Sequence, residues 1–331
     1  MLKPERFLNL FYECNDYEIF AKSRLHLHVL RIEDGDFALA PLYTELMNHS
    51  QTYVLSRSKF EELVSDISRY PEVLASVREK FKTPDENSGE GGELLLYSFL
   101  EGHLQAPKIL SKMELKTSAE MYVNGADGVH LLEVNPNDYQ LIFGESKMYG
   151  DTQSRRGSSL KNAIEAAFNS MAKTKNELFK SDSWLVESQL MHEVADPDRV
   201  QRLAALLLPT ARGENSIRKS NAFGVFLGFE VDVVDFPFED HSDSDIEAYL
   251  KNAVSEAVES QIETIQSKTR EHGLGGHHFH IYAMPFLKRR ASGQIVGIQD
   301  VRMKIAEKLS GRPPAQKTLD RIARKVQDND A

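Results

Sequence analysis

Residues 125–147 read GADGVHLLEVNPNDYQLIFGESK, two apolar runs separated by the turn-forming cluster Asn135-Pro136-Asn137-Asp138. The pattern predicts a β-hairpin with Asp127 at the start of its first strand and Glu145 and Lys147 at the end of its second. Side chains alternate along a strand, so Glu145 and Lys147 share a face with Leu141 and Phe143. Folding about the cluster brings Asp127 opposite residue 145 or 146, and a five-residue loop or a single bulge decides which. Only the first pairing puts both carboxylates and the amine on one face.

Two carboxylates and an amine at this spacing suit the hydrolysis of a phosphodiester. A divalent cation, Mg2+ or Mn2+, held by Asp127 and Glu145 would stabilise charge on pentavalent phosphorus and activate water. Lys147 beside it would orient that water or stabilise the developing charge. The bland alternative is a surface hairpin in which Asp127 is a turn residue and Glu145 and Lys147 form an exposed ion pair of little energetic worth. Leu141, Ile142 and Phe143 in succession read as a buried strand, and charges at the end of a buried strand favour function.

At 331 residues, 41% hydrophobic and 27% charged, the chain has ample material for a buried core and the composition of a globular protein. Its one cysteine, Cys14, excludes an intramolecular disulfide and suggests a reducing, cytoplasmic compartment. The first residues, MLKPERFLNLFYEC, mix charge into apolar positions, and no run of eighteen apolar residues exists, so neither a signal peptide nor a membrane span is expected. Net charge is -10, but residues 288–325 hold eleven Lys and Arg against Asp300, Glu307 and Asp320. That segment is therefore +8 and the remainder -18, and a local basic stripe can attract phosphate where bulk charge does not. A solvated helical tail would carry the same charges.

In chain order, Leu25 to Ile32 alternates as a strand, and Lys59 to Tyr70 and Glu72 to Lys80 read as helices separated by Pro71. Thr83 to Gly92 reads as a linker. A helix from Glu93 to about Leu100 follows, then a strand from Ile109 to Lys116. Glu93 either meets the helix dipole or reaches the hairpin as a third acid. His130 falls on the face opposite Asp127 and reads as structural. Arg155 and Arg156 precede a helix starting near Ser158 or Ser159, a place suited to phosphate contact or to solvent. Its apolar stripe is Leu160, Ala163, Ile164, Ala167, Phe168 and Met171. Phe223 to Val234 reads as a strand, Asp245 to Thr269 as one long helix, and His277 to Phe286 as a strand. His26 with His28, and His278 with His280, share strand faces, the basis of an alternative zinc hydrolase. No GxxxxGK loop is present, so ATP hydrolysis by this chain is not expected.

The order helix, Asp127, Glu145-Ser146-Lys147, helix resembles the PD-(D/E)xK nuclease superfamily over about residues 90–180, with Ala126 standing where the superfamily name puts proline. More narrowly, GADGVH and FGESK together with the later strand pattern resemble the HamA family of nuclease subunits from the Hachiman anti-phage defence system. The resemblance implies an α/β, restriction-endonuclease-like mixed sheet flanked by helices, with an N-terminal α/β support region over 1–85, a nuclease-like core over 86–290 and a basic C-terminal helical segment over 291–331. It further implies a metal-dependent DNA nuclease working with a HamB-like helicase. In that scheme Asp127 and Glu145 ligate the metal, Lys147 positions water, Glu93 is an auxiliary acid, and Arg155, Arg156, Lys288, Arg289 and Arg290 contact DNA. A catalytically idle nuclease fold serving as a DNA-binding or assembly module is the other reading of the same motif.

Overall fold

The computed structural model describes residues 4–12, 15–85, 88–115, 126–136, 138–151, 155–173, 218–291 and 293–321. Cys14, the apolar stretch 203–208 and the last basic residues, Arg324 and Lys325, lie outside the described residues.

Three strands with long apolar runs make the centre: β7 (Asp138–Met148), β8 (Arg218–Asp232) and β9 (His278–Ala291). They pair parallel, β7 with β8 and β8 with β9. Parallel strands covered by helices on both faces have no solvated side, which is why their sequences read as continuous rather than alternating hydrophobicity. On one flank β6 (Gly128–Asn135) pairs antiparallel with β7, and β5 (Lys108–Ser111) antiparallel with β6. On the other flank the N-terminal strands complete the sheet: β2 (Ser23–Leu27) lies parallel to β9, and β1 (Asp16–Phe20) antiparallel to β2. The order is β1-β2-β9-β8-β7-β6-β5, with β10 (Gln294–Val296) pairing with the end of β9. The short pair β3 (Ile32–Glu33) and β4 (Asp36–Phe37) stands apart. The sheet is thus mixed and helix-flanked, as expected.

The helices among the described residues are α1 (Pro4–Leu8), α2 (Leu39–Val54), α3 (Arg57–Val64), α4 (Tyr70–Lys80), α5 (Glu90–Gly102), α6 (Lys112–Leu115), α7 (residues 159–173), α8 (Asp243–Glu259), α9 (Ile262–Glu271) and α10 (Ile298–Ser310), with a further turn over 316–321. None is long and apolar enough to cross a membrane. α5 and α7 cover opposite faces of the central strands. Phe99 of α5 stacks on Phe226 and Tyr282, neighbours in the β8–β9 register, whereas Phe168 of α7 stacks on Phe279, which pairs with Phe223. α5 is buried almost all round, as a central core helix must be.

Several boundaries differ from the sequence reading. α5 begins at Glu90 rather than Glu93, because Gly91 and Gly92 enter the first turn where neighbours leave no room for a side chain. Pro71 does not separate two helices but sits in the first turn of α4, where its missing N–H has no partner to lose. β5 ends at Ser111, whose hydroxyl accepts from the Glu114 N–H at 3.1 Å and starts α6 where a continuing strand was expected. The expected helix from Asp245 to Thr269 is two helices, broken at Ser260 and Gln261. β2 stops at Leu27, earlier than the expected Ile32, and β9 runs on to Ala291.

Buried histidines make the fold sensitive to acid. Burial lowers His49, His130 and His280 each to about 4, and lowers His28 well below its ordinary value. His130 lies with its Nδ1 2.9 Å from the Ala106 carbonyl, and His49 with its Nδ1 2.8 Å from the Ser98 hydroxyl. A folded pKa below the unfolded 6.5 means that the unfolded chain takes up protons first, so stability is fully present above about 6.5 and falls as pH drops toward 4. Chemical denaturation should show this loss, about 1–3 kcal/mol per histidine, between those limits. His49→Gln should make the slope shallower. A midpoint that is flat from pH 7 to 4.5 would contradict the assignment.

Candidate active site

The β6–β7 register decides which groups meet. Val129 pairs with Phe143, Leu131 with Leu141 and Glu133 with Tyr139, and the irregularity between Glu133 and Asn135 is confined to the turn end. Counting back along that register sets Asp127 opposite Glu145, the first of the two pairings open to the sequence, and the Asp127 N–H donates to the Gly144 carbonyl at 2.9 Å. Asp127, at the mouth of β6, and Glu145 are both buried, 9% and 8% exposed.

Asp127 holds the strand edge beside it. Its Oδ2 accepts the Ser146 N–H at 2.8 Å, filling a ladder position that β6 no longer reaches, and its Oδ1 faces the Lys112 amine at 3.4 Å. Glu145 points to the α7 side, where its Oε2 accepts from the Ser170 hydroxyl at 2.9 Å and its Oε1 takes the Lys147 amine. That amine also lies 3.3 Å from the Ser146 carbonyl oxygen.

The electrostatics follow from crowding two acids into a dry place. Burial first, and the Asp127 charge second, raise Glu145 to about 7, against the pull of Lys147 and Ser170. Burial pulls the Lys147 amine down, but the Glu145 and Asp127 carboxylates outweigh it, so its pKa is raised and it stays an ammonium ion. Glu145 is the group whose charge is suppressed, because it faces both a low dielectric and a like charge.

Glu93, half-buried in the first turn of α5, accepts from the Tyr53 hydroxyl at 3.1 Å. Burial, then Glu93, then Asp127, holds the Tyr53 hydroxyl well above its ordinary range, so Tyr53 feels both acids. Next to Glu93, Gly92 lies against Ser146 and Met148, which sets the start of α5 directly on the Glu145–Lys147 strand. Among the described residues no three His, Cys, Asp or Glu side chains form a group able to hold a metal ion. The described acid pair is Asp127 with Glu145.

The basic candidates lie in other surroundings. Arg155 is exposed, and Arg156 reaches Asp232 at 3.5 Å and Asp235 at 3.9 Å. Lys288 lies 3.8 Å from the same Asp232, its partner in the β8–β9 register, and Arg289 pairs with Asp36. Arg290 is exposed and pairs with Ile295 of β10. The histidine basis for a zinc enzyme is corrected: His26 binds Asp16 at 2.6 Å, His280 lies 3.0 Å from Gln140, His278 meets the same amide, and His28 packs 4.4 Å from the Phe99 ring. His26 and His28 both lie against His103, at ring-centroid distances of 4.7 and 5.4 Å, yet no metal-holding group forms among the described residues.

Three residues of the site were missed in the sequence. Ser170 stands three positions after Ala167, a hydroxyl beside the apolar stripe of α7, which was a usable signal. Lys112 carried none, since the turn from β5 into α6 was not legible. Tyr53 is at the end of α2, far away in sequence.

The donor set is of oxygens, the kind a hard divalent cation takes, but it falls short of three acidic ligands among the described residues. It consists of two carboxylates whose mutual repulsion already shows in Glu145, with the Ser146 carbonyl oxygen beside the same amine. Cations of this kind take oxygen ligands and draw on substrate phosphates and water to complete their shell.

A family model described as HamA matches residues 5–308. No curated protein and no solved structure matches.

Ionised Glu145 is a burden on the fold. Its folded pKa near 7 lies above the unfolded value of 4.5, so its contribution to stability is fully present below about 4.5 and lost as pH rises through 7. Glu145→Gln should therefore raise stability at pH 8 by about 1–3 kcal/mol, with the gain fading toward pH 5. Denaturation midpoints at the two pH values check it, and an equal or lower midpoint at pH 8 would be the contrary result.

Proposed function

The chain belongs to the HamA family, and from that premise we propose that it is the nuclease-fold subunit of a Hachiman-type anti-phage defence system, a metal-dependent DNA nuclease that works with a HamB-like helicase. The observation that carries this reading is the placing of Asp127, Glu145 and the Lys147 amine together at one end of β7, with Glu145 raised to about 7 by burial and by its neighbour. A perturbed acid beside a charged amine in a buried place marks a candidate functional site.

Asp127 and Glu145 would hold Mg2+ or Mn2+, which supplies charge to the phosphate oxygens and makes water nucleophilic. Glu145 would hold the cation in its ionised form, and the Ser170 hydroxyl, donating to its second oxygen, would orient that carboxylate. Lys147, held charged by both carboxylates, would position the attacking water and donate to the developing oxyanion. Asp127, through the Ser146 N–H, keeps the intervening peptide in register between the two functional side chains.

The idle-module reading has its own support, and on ligand number the described residues favour it. No three-ligand group is present among them, Asp127 is already taken up by the Ser146 N–H and Lys112, and Glu145 by Lys147 and Ser170. In that reading the site is a satisfied ion cluster and the chain binds DNA or assembles with its partner without cutting.

One experiment separates them. Plasmid, linear duplex and single-stranded DNA are incubated with the protein, with and without Mg2+ or Mn2+, alone and with the helicase. Metal-dependent cutting that falls about 100-fold or more in Glu145→Ala, Lys147→Ala and Asp127→Asn, with folding retained, is the expected result. DNA binding without cutting under every condition would leave the idle module. For contact with DNA or the partner, exposed Arg155 and Arg290 are the informative charge reversals, since Lys288 and Arg289 are engaged with Asp232 and Asp36. Arg155→Glu with Arg290→Glu should weaken association more at low salt than at high salt.

A further inference from the structure

A second polar site occupies the opposite end of the sheet. β2, β9, β8 and β7 run parallel, so their first residues share one edge, and there a cavity of about 890 Å³ opens. It is within the size range of small-molecule pockets. Gln140 on β7 and Glu145 lie five residues apart, about 17 Å along a strand, and on opposite faces by alternation. The cavity is therefore separate from the carboxylate pair.

Its lining divides into three chemistries. The rim carries Lys22, Arg24 and Arg218, all exposed, with Asp138, the register partner of Arg218, beside them. Arg24 has Asp16 at 3.9 Å, while neither Lys22 nor Arg218 has an ion-pair partner among the described residues. In a chain of net charge -10, the cations Lys22, Arg24, Arg218 and Lys219 outnumber Asp138 among the described lining residues and form a local anion-attracting field. The floor is a hydrogen-bonding row: the Gln140 amide bridges His278 and His280, with its oxygen 3.0 Å from the His280 Nε2. Leu104 and Leu132 supply an apolar wall.

We propose that this cavity binds a nucleotide, with phosphate on the Lys22–Arg24–Arg218 rim and the base against the apolar wall, its polar edge meeting Gln140 and His278. Inorganic phosphate alone would use only the rim, and a nucleoside only the wall and floor. A free nucleotide and the terminal nucleotide of a DNA strand present the same groups, so the chemistry is shared and the source is a matter for measurement. The proposal does not depend on whether the carboxylate pair cuts DNA.

Calorimetric titration of the full chain tests it, with the four ribonucleoside monophosphates, inorganic phosphate, adenosine and a 5′-phosphorylated hexanucleotide as probes. At least one nucleotide or the hexanucleotide should bind at least tenfold more tightly than phosphate or adenosine. Lys22→Glu and Arg218→Glu, both surface changes, should each weaken it at least tenfold, while Lys59→Glu, exposed on α3 and outside the cavity lining, leaves it unchanged. Tighter binding of the hexanucleotide than of any monophosphate supports the proposal with a strand end as the source, and the reverse supports it with a free nucleotide. Phosphate binding as tightly as every nucleotide, no binding of any probe at millimolar concentration, or affinities untouched by both rim reversals would overturn it.

Discussion

The register between β6 and β7 is the constraint on which the candidate site depends. Strand side chains repeat every two residues, so a slip of one would turn Asp127 away from Glu145 and set it beside the backbone-facing side of Ser146. The slip is resisted at several points. Val129, Leu131, Leu141 and Phe143 are buried, so a shift would unseat side chains packed along the hairpin, and the Asp127 N–H to Gly144 carbonyl bond closes the ladder next to the acids. The irregularity near Val134 absorbs the geometry of the turn at the far end, where no functional group needs placing.

A second constraint is how closely α5 lies on the sheet. Gly144 of β7 and Gly224 of β8 are register partners, and a Cβ on Gly144 would stand 3.1 Å from Leu96, one on Gly224 3.0 Å from Leu100. The paired absence of side chains opens a shallow groove across two strands into which the leucines of α5 settle. Because α5 sits so deep, its first turn reaches Ser146 and Met148, and Glu93 comes within range of Tyr53, which also feels Asp127. Packing in the middle of the helix thus sets the electrostatic surroundings at its end.

What the sequence made legible follows from what it repeats. The central strands, the hairpin and the stripe of α7 announce themselves through uninterrupted or periodic hydrophobicity, which local chemistry alone explains. Joints are another matter. Whether Gly91 and Gly92 belong to a linker or a helix depends on Ile305 and Met148 packing against them, and the break at Ser260 leaves no proline or glycine to mark it. The charge pattern misled in a similar way. Residues 288–290 look like the start of a free basic stripe, yet Lys288 lies beside Asp232 and Arg289 beside Asp36, acids more than fifty residues away. Of the site, Glu145 and Lys147 on one face were readable from strand alternation and Asp127 was placed opposite residue 145 or 146, a choice the register settles, while Ser170, Lys112 and Tyr53 arrive from other elements and were not readable.

The end of β7 is tied down more heavily than a strand terminus needs for its own sake. Just beyond Lys147, the Arg302 guanidinium donates to the Met148 carbonyl at 3.2 Å and to the Ser88 carbonyl at 3.0 Å, joining α10 and the approach to α5 to this strand. Tyr149 continues the ladder with its N–H on the Gly228 carbonyl at 2.9 Å. Then buried Glu230 accepts the Asp151 N–H at 2.8 Å with one oxygen and the Ile298 N–H at 2.9 Å with the other, while its own N–H donates to the Ser159 hydroxyl oxygen at 3.0 Å. Asp151 in turn accepts the Ser159 N–H at 2.8 Å at the start of α7. Burial raises Glu230, so a carboxylate is kept here against its solvation because two peptide donors would otherwise be left without a partner. The knot fixes the start of α7 relative to β7 and so holds Ser170 against Glu145. A pair of like charges that repel each other needs a frame that cannot relax to separate them, and α5, α7 and α10 are fastened to the one strand end where that repulsion acts.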